Sequence, residues 1–249
     1  MLQGKRPHME DRARIIDNFH GNYSLFVLCD GHGGDFVADF CVRHIASILK
    51  KHLDSGLDMK SSLTKTNSDL DDSISEQDSY MTGTTCIVIL KSSDHVWVSN
   101  CGDSRAIMNS GLRVIDLSKD HKPIGNEQAR IEALGGHIQS MNGDVPRVNG
   151  ELALTRAIGD KRLRPYVIPT PDVSQFKFSN DNKFIIMATD GLWDIMTSAD
   201  VNRMVFSQYR RNMELTDNQL LEKISNVLEQ TINGNIEDNT TIIITHIRR

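Results

Sequence analysis

Two apolar runs in the sequence end abruptly in Asp-Gly: LFVLCDGHGG at residues 25–34 and FIIMATDGLWD at residues 184–194. Each run reads as a buried strand that stops and delivers one carboxylate at its tip, Asp30 in the first and Asp190 in the second. A single Asp-Gly is ordinary turn chemistry. Two of them, each closing an unbroken apolar strand, suggest carboxylates that share a metal site. Glu10, Asp11, Asp103, Asp194 and Asp238 extend the candidate set, the last lying in EDNTTIIIT just before the final strand. Carboxylate, carbonyl and water oxygens are hard donors suited to Mg²⁺ or Mn²⁺. Two such ions about 3.5–4 Å apart activate a water between them and clamp the attacking and leaving oxygens of an in-line phosphoryl displacement. The chemistry expected of the set is phosphoester hydrolysis.

Rival phosphoryl chemistries lack their residues. No GxxxxGK[ST] occurs, which disfavours a P-loop nucleotide hydrolase. A cysteine-nucleophile phosphatase needs an arginine six residues after the cysteine. Here the positions six beyond Cys29, Cys41, Cys86 and Cys101 are Asp35, Ser47, Ser92 and Ile107. Asp69-Leu70-Asp71 has the form of an aspartyl-phosphate loop, but it follows a polar stretch instead of an apolar strand and reads as solvated surface, as do Asp39, Asp54 and Asp120.

The elements that must position these groups follow from periodicity. Residues 1–22 are polar with weak periodicity. Asp35 to Leu53 places Val37, Phe40, Cys41, Ile45, Ile48 and Leu49 on one helical face. Residues 54–82, rich in Ser, Asp, Thr and Lys, are expected to hold a short helix or a mobile loop. From Gly83 the pattern becomes short strands, TTCIVIL, HVWVSNC, RAIM and LRVIDL, separated by turns and read as an antiparallel meander. Residues 119–150 are an excursion with a short helix capped by Asn126 and ended at Gly135. Strands are expected at Glu151 to Thr155, Asp172 to Phe178 and Lys183 to Thr189. A helix from near Ser198 follows, then one with Thr216 and Gln219 at capping-box spacing and Gly234 past its end, then a final strand from Thr240 to Ile247. LFVLC and FIIMA are apolar on both faces and must be covered on both, whereas the helices are amphipathic. The expected fold is α+β, a four-layer αββα sandwich of two antiparallel sheets flanked by helices.

Composition narrows the setting. A chain of 249 residues with 39% hydrophobic content buries a sizeable core, and a single domain over residues 1–249 is expected. Lys and Arg number 28 against 33 Asp and Glu, a net charge of -5 with no basic block, so nucleic acid is not an expected partner. No apolar run approaches the length of a membrane span, and MLQGKRPHMED lacks the apolar core of a signal peptide. The expected setting is soluble and intracellular, the cytoplasm first and the nucleus second. The four cysteines show no CxxC spacing and read as reduced core residues.

Taken in order, GKRPHMED, CDGHGG, GTTC, NCGDSRA, DHKP, RVNGELALTRAIGD, ATDGLWD and EDNTT, from residue 4 to residue 241, resemble the metal-dependent serine/threonine protein phosphatases of type 2C. That resemblance implies the same layered fold and two Mg²⁺ or Mn²⁺ ions bridged by Asp30, with the Gly31 carbonyl, Asp190, Asp238 and Glu10 completing their shells. Asp11 would hold metal-bound waters, and a water or hydroxide between the ions would attack directly, without a covalent phosphoenzyme. Arg6 matches the family's phosphate-binding arginine and His32 its general acid. Asp103 and Asp194 match carboxylates that hold a third, weaker ion in some members. The excursion at 120–147 corresponds to the family's flap. Phosphoproteins are the implied substrates and a monomer the implied state. Members usually carry a strand before the GKR motif, so a sheet edge without it is expected here. A silent relative that binds partners through the same fold is the alternative; it would lack metal carboxylates, and none of the central ones is missing.

Overall fold

The computed structural model describes residues 1–140, 144–212, 214–232 and 236–247. Its first half comprises β1 (Arg12–His20), β2 (Tyr23–Cys29), β3 (Gly31–His32), α1 (Phe36–Asp54), α2 (Met59–Ser73), α3 (Glu76–Ser79), β4 (Gly83–Thr84), β5 (Cys86–Lys91), β6 (His95–Cys101), β7 (Arg105–Ser110) and β8 (Arg113–Asp116). The second comprises α4 (Gly125–Ala133), β9 (Ile138–Gln139), β10 (Arg147–Val148), β11 (Ile158–Gly159), β12 (Asp172–Lys177), β13 (Phe184–Ala188), α5 (Asp190–Trp193), α6 (Ser198–Arg211), α7 (Asp217–Ile232) and β14 (Ile242–His246).

The two apolar runs are interior strands of two antiparallel sheets, ordered β1-β2-β5-β6-β12 and β14-β13-β7-β8. Period-two geometry explains why every residue in them is apolar. Leu25, Val27 and Cys29 pack under α1 and α2. Phe26 and Leu28 point the other way, into a core shared with Ile185 and Met187 of the second sheet. Phe184, Ile186 and Ala188 lie under α6 and α7. Three cores separate four layers, the αββα sandwich that the two-faced strands require. Each fully buried Leu or Ile contributes about 1.5–3 kcal/mol, so the strand centres anchor whatever their tips carry.

Several expectations are corrected. The meander does not stay in one sheet: β6 belongs to the first and β7 to the second, so Gly102–Ser104 crosses between sheets and delivers Asp103 at their common end. Residues 12–20 form an edge strand. Its exposed Ile15, its arginines and an irregularity between Ile16 and His20, where Asn18 has φ 52°, hide the alternation. The stretch 54–82 holds a 15-residue helix, α2. Its buried face carries Ser62, Thr66, Asn67 and Asp71 beside Leu63 and Leu70, so no apolar stripe marks it. Asp71 is not solvated: it accepts from Gly159 N at 2.7 Å and Arg164 at 2.8 Å. Asp120 likewise takes a bidentate ion pair from Arg105, at 2.9 and 2.6 Å. Residues 151–155 make no strand, only a bridge from Leu152 to Val148. Helix α4 starts at Gly125 with no side-chain cap, so Asn126 is inside it. At the N-terminus, Leu2 and Thr240 exchange two backbone hydrogen bonds of 2.8 Å in an isolated bridge just before β14, which stays at the edge of its sheet. The capping box of Thr216 and Gln219 and the positive φ of Gly135 are present. Gly234 and residues 141–143 of the excursion lie outside the described residues.

Candidate active site

The tips of β2 and β13 meet at one end of the sandwich, around a cleft of about 450 Å³. Its lining includes Arg6, Glu10, Asp30, Gly31, His32, Asp103, Asp190, Asp194 and Asp238. Of the residues singled out in the sequence, only Asp11 is not in that wall. It is fully buried beneath, accepting from Thr241 Oγ1 at 2.7 Å and Thr189 Oγ1 at 3.1 Å.

The glycines that follow Asp30 and Asp190 have a reason other than a turn. Neither has the positive φ that a glycine-requiring turn would impose. A Cβ on Gly31 would stand 2.7 Å from the Glu10 carbonyl oxygen, and one on Gly191 would overlap the Asn239 carbonyl. Each glycine therefore lets a second chain segment pass tightly over a strand tip, and those segments bring Glu10 and Asp238 to the cleft. Asn239 ties the two segments together. Its Oδ1 accepts from Glu10 N at 2.7 Å, and its Nδ2 donates to the carbonyls of Gln3 at 2.8 Å and His8 at 3.0 Å.

Other motif residues hold the remaining groups. Thr84 Oγ1 donates to the Asp30 carbonyl at 3.0 Å, and Thr85 Oγ1 accepts from Asp30 N at 3.1 Å. DHKP clamps the crossover that bears Asp103: Asp120 pairs with Arg105, His121 Nδ1 accepts from Gly102 N at 3.1 Å, and Lys122 reaches Asp103 at 2.9 Å. His32 does not cap α1; its Nε2 lies 2.6 Å from Asp160 Oδ2. Sequence reasoning gave no role to Thr84, Thr85, Lys122, Asp160 or Asn239, although every one lies inside a quoted motif.

The cleft concentrates negative charge among partly buried groups. Burial, followed by repulsion from Asp11, Asp190, Asp103 and Asp238, raises the Asp30 pKa well above the ordinary carboxylate range. Burial and then Asp103 and Asp194 push Asp190 up to about 7, against a partial offset from Lys122. Burial also raises Asp11 and Asp103. Burial alone would lower the His32 pKa, but the hydrogen bond and charge of Asp160 outweigh it and raise it.

Among the described residues, no group of three or more His, Cys, Asp or Glu side chains is arranged to hold a metal ion unaided. The surroundings nevertheless fit a hydrated hard cation. Asp11 Oδ1 is buried without a hydrogen-bond donor, behind a wall that carries Asp30, Asp190 and Asp238. Carboxylates crowded in this way call for a proton or a cation among them. Mg²⁺ and Mn²⁺ are suited to all-oxygen surroundings, and Mg²⁺ commonly keeps several waters while taking one or two carboxylates. Arg6 and Asp238 are paired with each other at 2.5 Å.

The chain is similar to known proteins in sequence and in fold. The profile of the family described as Protein phosphatase 2C matches residues 1–240. Protein phosphatase 2C 53 of Oryza sativa subsp. japonica is 35% identical over 247 residues, covering 80% of this chain and 54% of its own. Probable protein phosphatase 2C 56 of the same plant is 35% identical over 214 residues, covering 83% and 60%. The chain thus spans a little over half the length of these curated relatives. Among solved structures, a sex determining protein of C. elegans is similar in fold, with a TM-score of 0.88 at 24% identity, covering 99% of this chain and 63% of that one.

Proposed function

The chain belongs to the protein phosphatase 2C family, and from that premise we propose that it hydrolyses phosphoserine and phosphothreonine in phosphoproteins. The observation that carries this reading is the cleft itself, where half-buried carboxylates at two strand tips face Arg6, His32 and Lys122. Asp30, Asp190, Asp238, Glu10 and the Gly31 carbonyl would hold two Mg²⁺ or Mn²⁺ ions, with Asp11 orienting waters around them. Asp103 and Asp194 would serve a third. When bound, such ions supply the positive charge that lowers the pKa of water and neutralises phosphate oxygens.

The chain's own groups do the rest. Arg6, whose partner here is Asp238, would turn its guanidinium fork to two phosphate oxygens. His32 gives its proton to the departing serine or threonine oxygen. Thr84 and Thr85 fix the backbone of Asp30 from both sides, so the carboxylate is held in place before substrate arrives. Lys122 offsets the charge of Asp103 and keeps the far wall of the cleft from repelling a phosphate. The excursion over 120–147 contributes Lys122, Val145 and Arg147 to the cleft wall, a placement suited to contacting the residues around a phosphorylated side chain.

Among the described residues no helix is long and apolar enough to cross a membrane. One catalytic domain over residues 1–249, working as a cytoplasmic or nuclear monomer, completes the reading. The test is phosphate release from a phosphothreonine peptide in Mn²⁺, in Mg²⁺ and in EDTA. Release that requires the metal and survives cysteine alkylation supports it, because all four cysteines are buried in the core. A folded protein that releases no phosphate with either metal would instead act as a binding module.

A further inference from the structure

His32 and Asp160 meet across a notch in a small three-stranded sheet. Strand order there is β11-β4-β3, and Gly83 of the middle strand is paired with His32 on one side and Gly159 on the other. A Cβ on Gly83 would overlap Asp160 Oδ2 and stand 2.7 Å from His32 Nε2. The missing side chain is therefore the space in which the imidazole and the carboxylate join, at 2.6 Å.

Asp160 is built for that contact. It is 1% exposed and adopts φ 48°, a left-handed conformation that aspartate and asparagine tolerate better than most residues. Its loop is strapped down on both sides. Asp160 N donates to the Thr82 carbonyl at 3.0 Å, Gly159 N donates to Asp71 at 2.7 Å, and Lys161 Nζ donates to the Ile74 carbonyl at 2.5 Å. The buried Asp71 on α2, which has no place in the cleft wall, gains a purpose from this: it fixes the turn that aims Asp160 at His32.

An imidazole has two nitrogens, and a carboxylate on one dictates the role of the other. With Nε2–H donated to Asp160, Nδ1 is the nitrogen left to address the leaving oxygen. The geometry points to Asp160 as a positioning residue for the reaction: it holds the plane and the Nε2 proton of His32 across Gly83. This rests on the reading of His32 as the general acid. Proton balance is simple, since the proton that leaves Nδ1 ends on the serine or threonine oxygen as the P–O bond breaks.

The test separates the two claims. Phosphothreonine needs a proton as its alkoxide departs, whereas the nitrophenolate of p-nitrophenyl phosphate leaves without one. His32→Gln and Asp160→Asn are assayed on both substrates with Mn²⁺, and the His32 ring nitrogens are followed by ¹⁵N NMR in the metal-free protein at a pH where the ring is neutral. Asp160→Asn, which keeps size and tolerates the left-handed backbone, is expected to lose kcat about tenfold more on the peptide than on the aryl ester, with KM on the peptide unchanged. In the wild type the spectrum is expected to show the Nε2–H tautomer, and its signals to move in Asp160→Asn and in Gly83→Ala. If His32→Gln falls equally on both substrates, the acid assignment fails and the positioning role falls with it. If His32→Gln discriminates between the substrates and Asp160→Asn does not, the positioning role alone is overturned. A wild-type Nδ1–H tautomer overturns it whatever the kinetics.

Discussion

At the scale of single residues the cleft stores repulsion. Asp30 is driven toward its neutral form by burial and by four neighbouring carboxylates, and Asp11 below it has an oxygen with no donor. Such an arrangement favours a ligand at the expense of the empty fold, the usual relation between an active site and stability. Asp30→Asn should therefore melt at a higher temperature than the wild type in EDTA at pH 8, because the variant removes a charge whose burial and neighbours oppose it. The same variant should lose most of the stabilisation that Mn²⁺ gives the wild type. Thermal denaturation with and without the metal checks both halves. A variant less stable than the wild type in EDTA would show that the carboxylate is already satisfied without a cation.

At the scale of elements, the excursion between β8 and β11 is anchored by charge as well as by a small apolar cluster around Ile131 and Val148. Glu127 on α4 receives Arg156 at 2.7 Å and Arg130 at 2.8 Å. Arg156 also reaches Asp172 at 2.9 Å, and Asp172 meets His121, which pins Gly102 beside Asp103. Burial opposes ionisation of Glu127, but the two arginines prevail and bring its pKa down to about 2. A carboxylate depressed on folding contributes stability that is complete above its unfolded pKa, near 4.5, and is lost as pH falls toward the folded value of about 2. Acid denaturation should therefore steepen across that window, and Glu127→Gln should flatten it; equal slopes in variant and wild type would remove the network from the account. The elements that escaped sequence reading share one physical cause. β1 is an irregular edge strand and α2 buries Ser, Thr, Asn and Asp, so neither shows the apolar period on which the reading depends. β2 and β13, buried on both faces, were legible in full.

At the scale of the whole molecule, the carboxylates gather because two sheets end together. Asp30 comes from one, Asp190 from the other, Asp103 from the crossover between them, and Glu10 and Asp238 from segments passing over Gly31 and Gly191. The strand-tip carboxylates could be read from local pattern because each follows an apolar run. Asp160, Lys122 and Asn239 could not, since their partners lie 128, 19 and up to 236 residues away and no spacing announces them. Nor does any local signal say that the short strand at Gly83 must be bare for a histidine and an aspartate to meet. The central claim is that the cluster at the two strand tips is a divalent-metal centre for phosphoester hydrolysis, with Asp30 at its heart. The most direct measurement is phosphate release from a phosphothreonine peptide at saturating Mn²⁺ by wild type and Asp30→Asn, each shown to be folded. Metal-dependent turnover is expected in the wild type and a loss of at least about 100-fold in the variant; turnover within a few fold of the wild type in Asp30→Asn would contradict a metal centre built on Asp30.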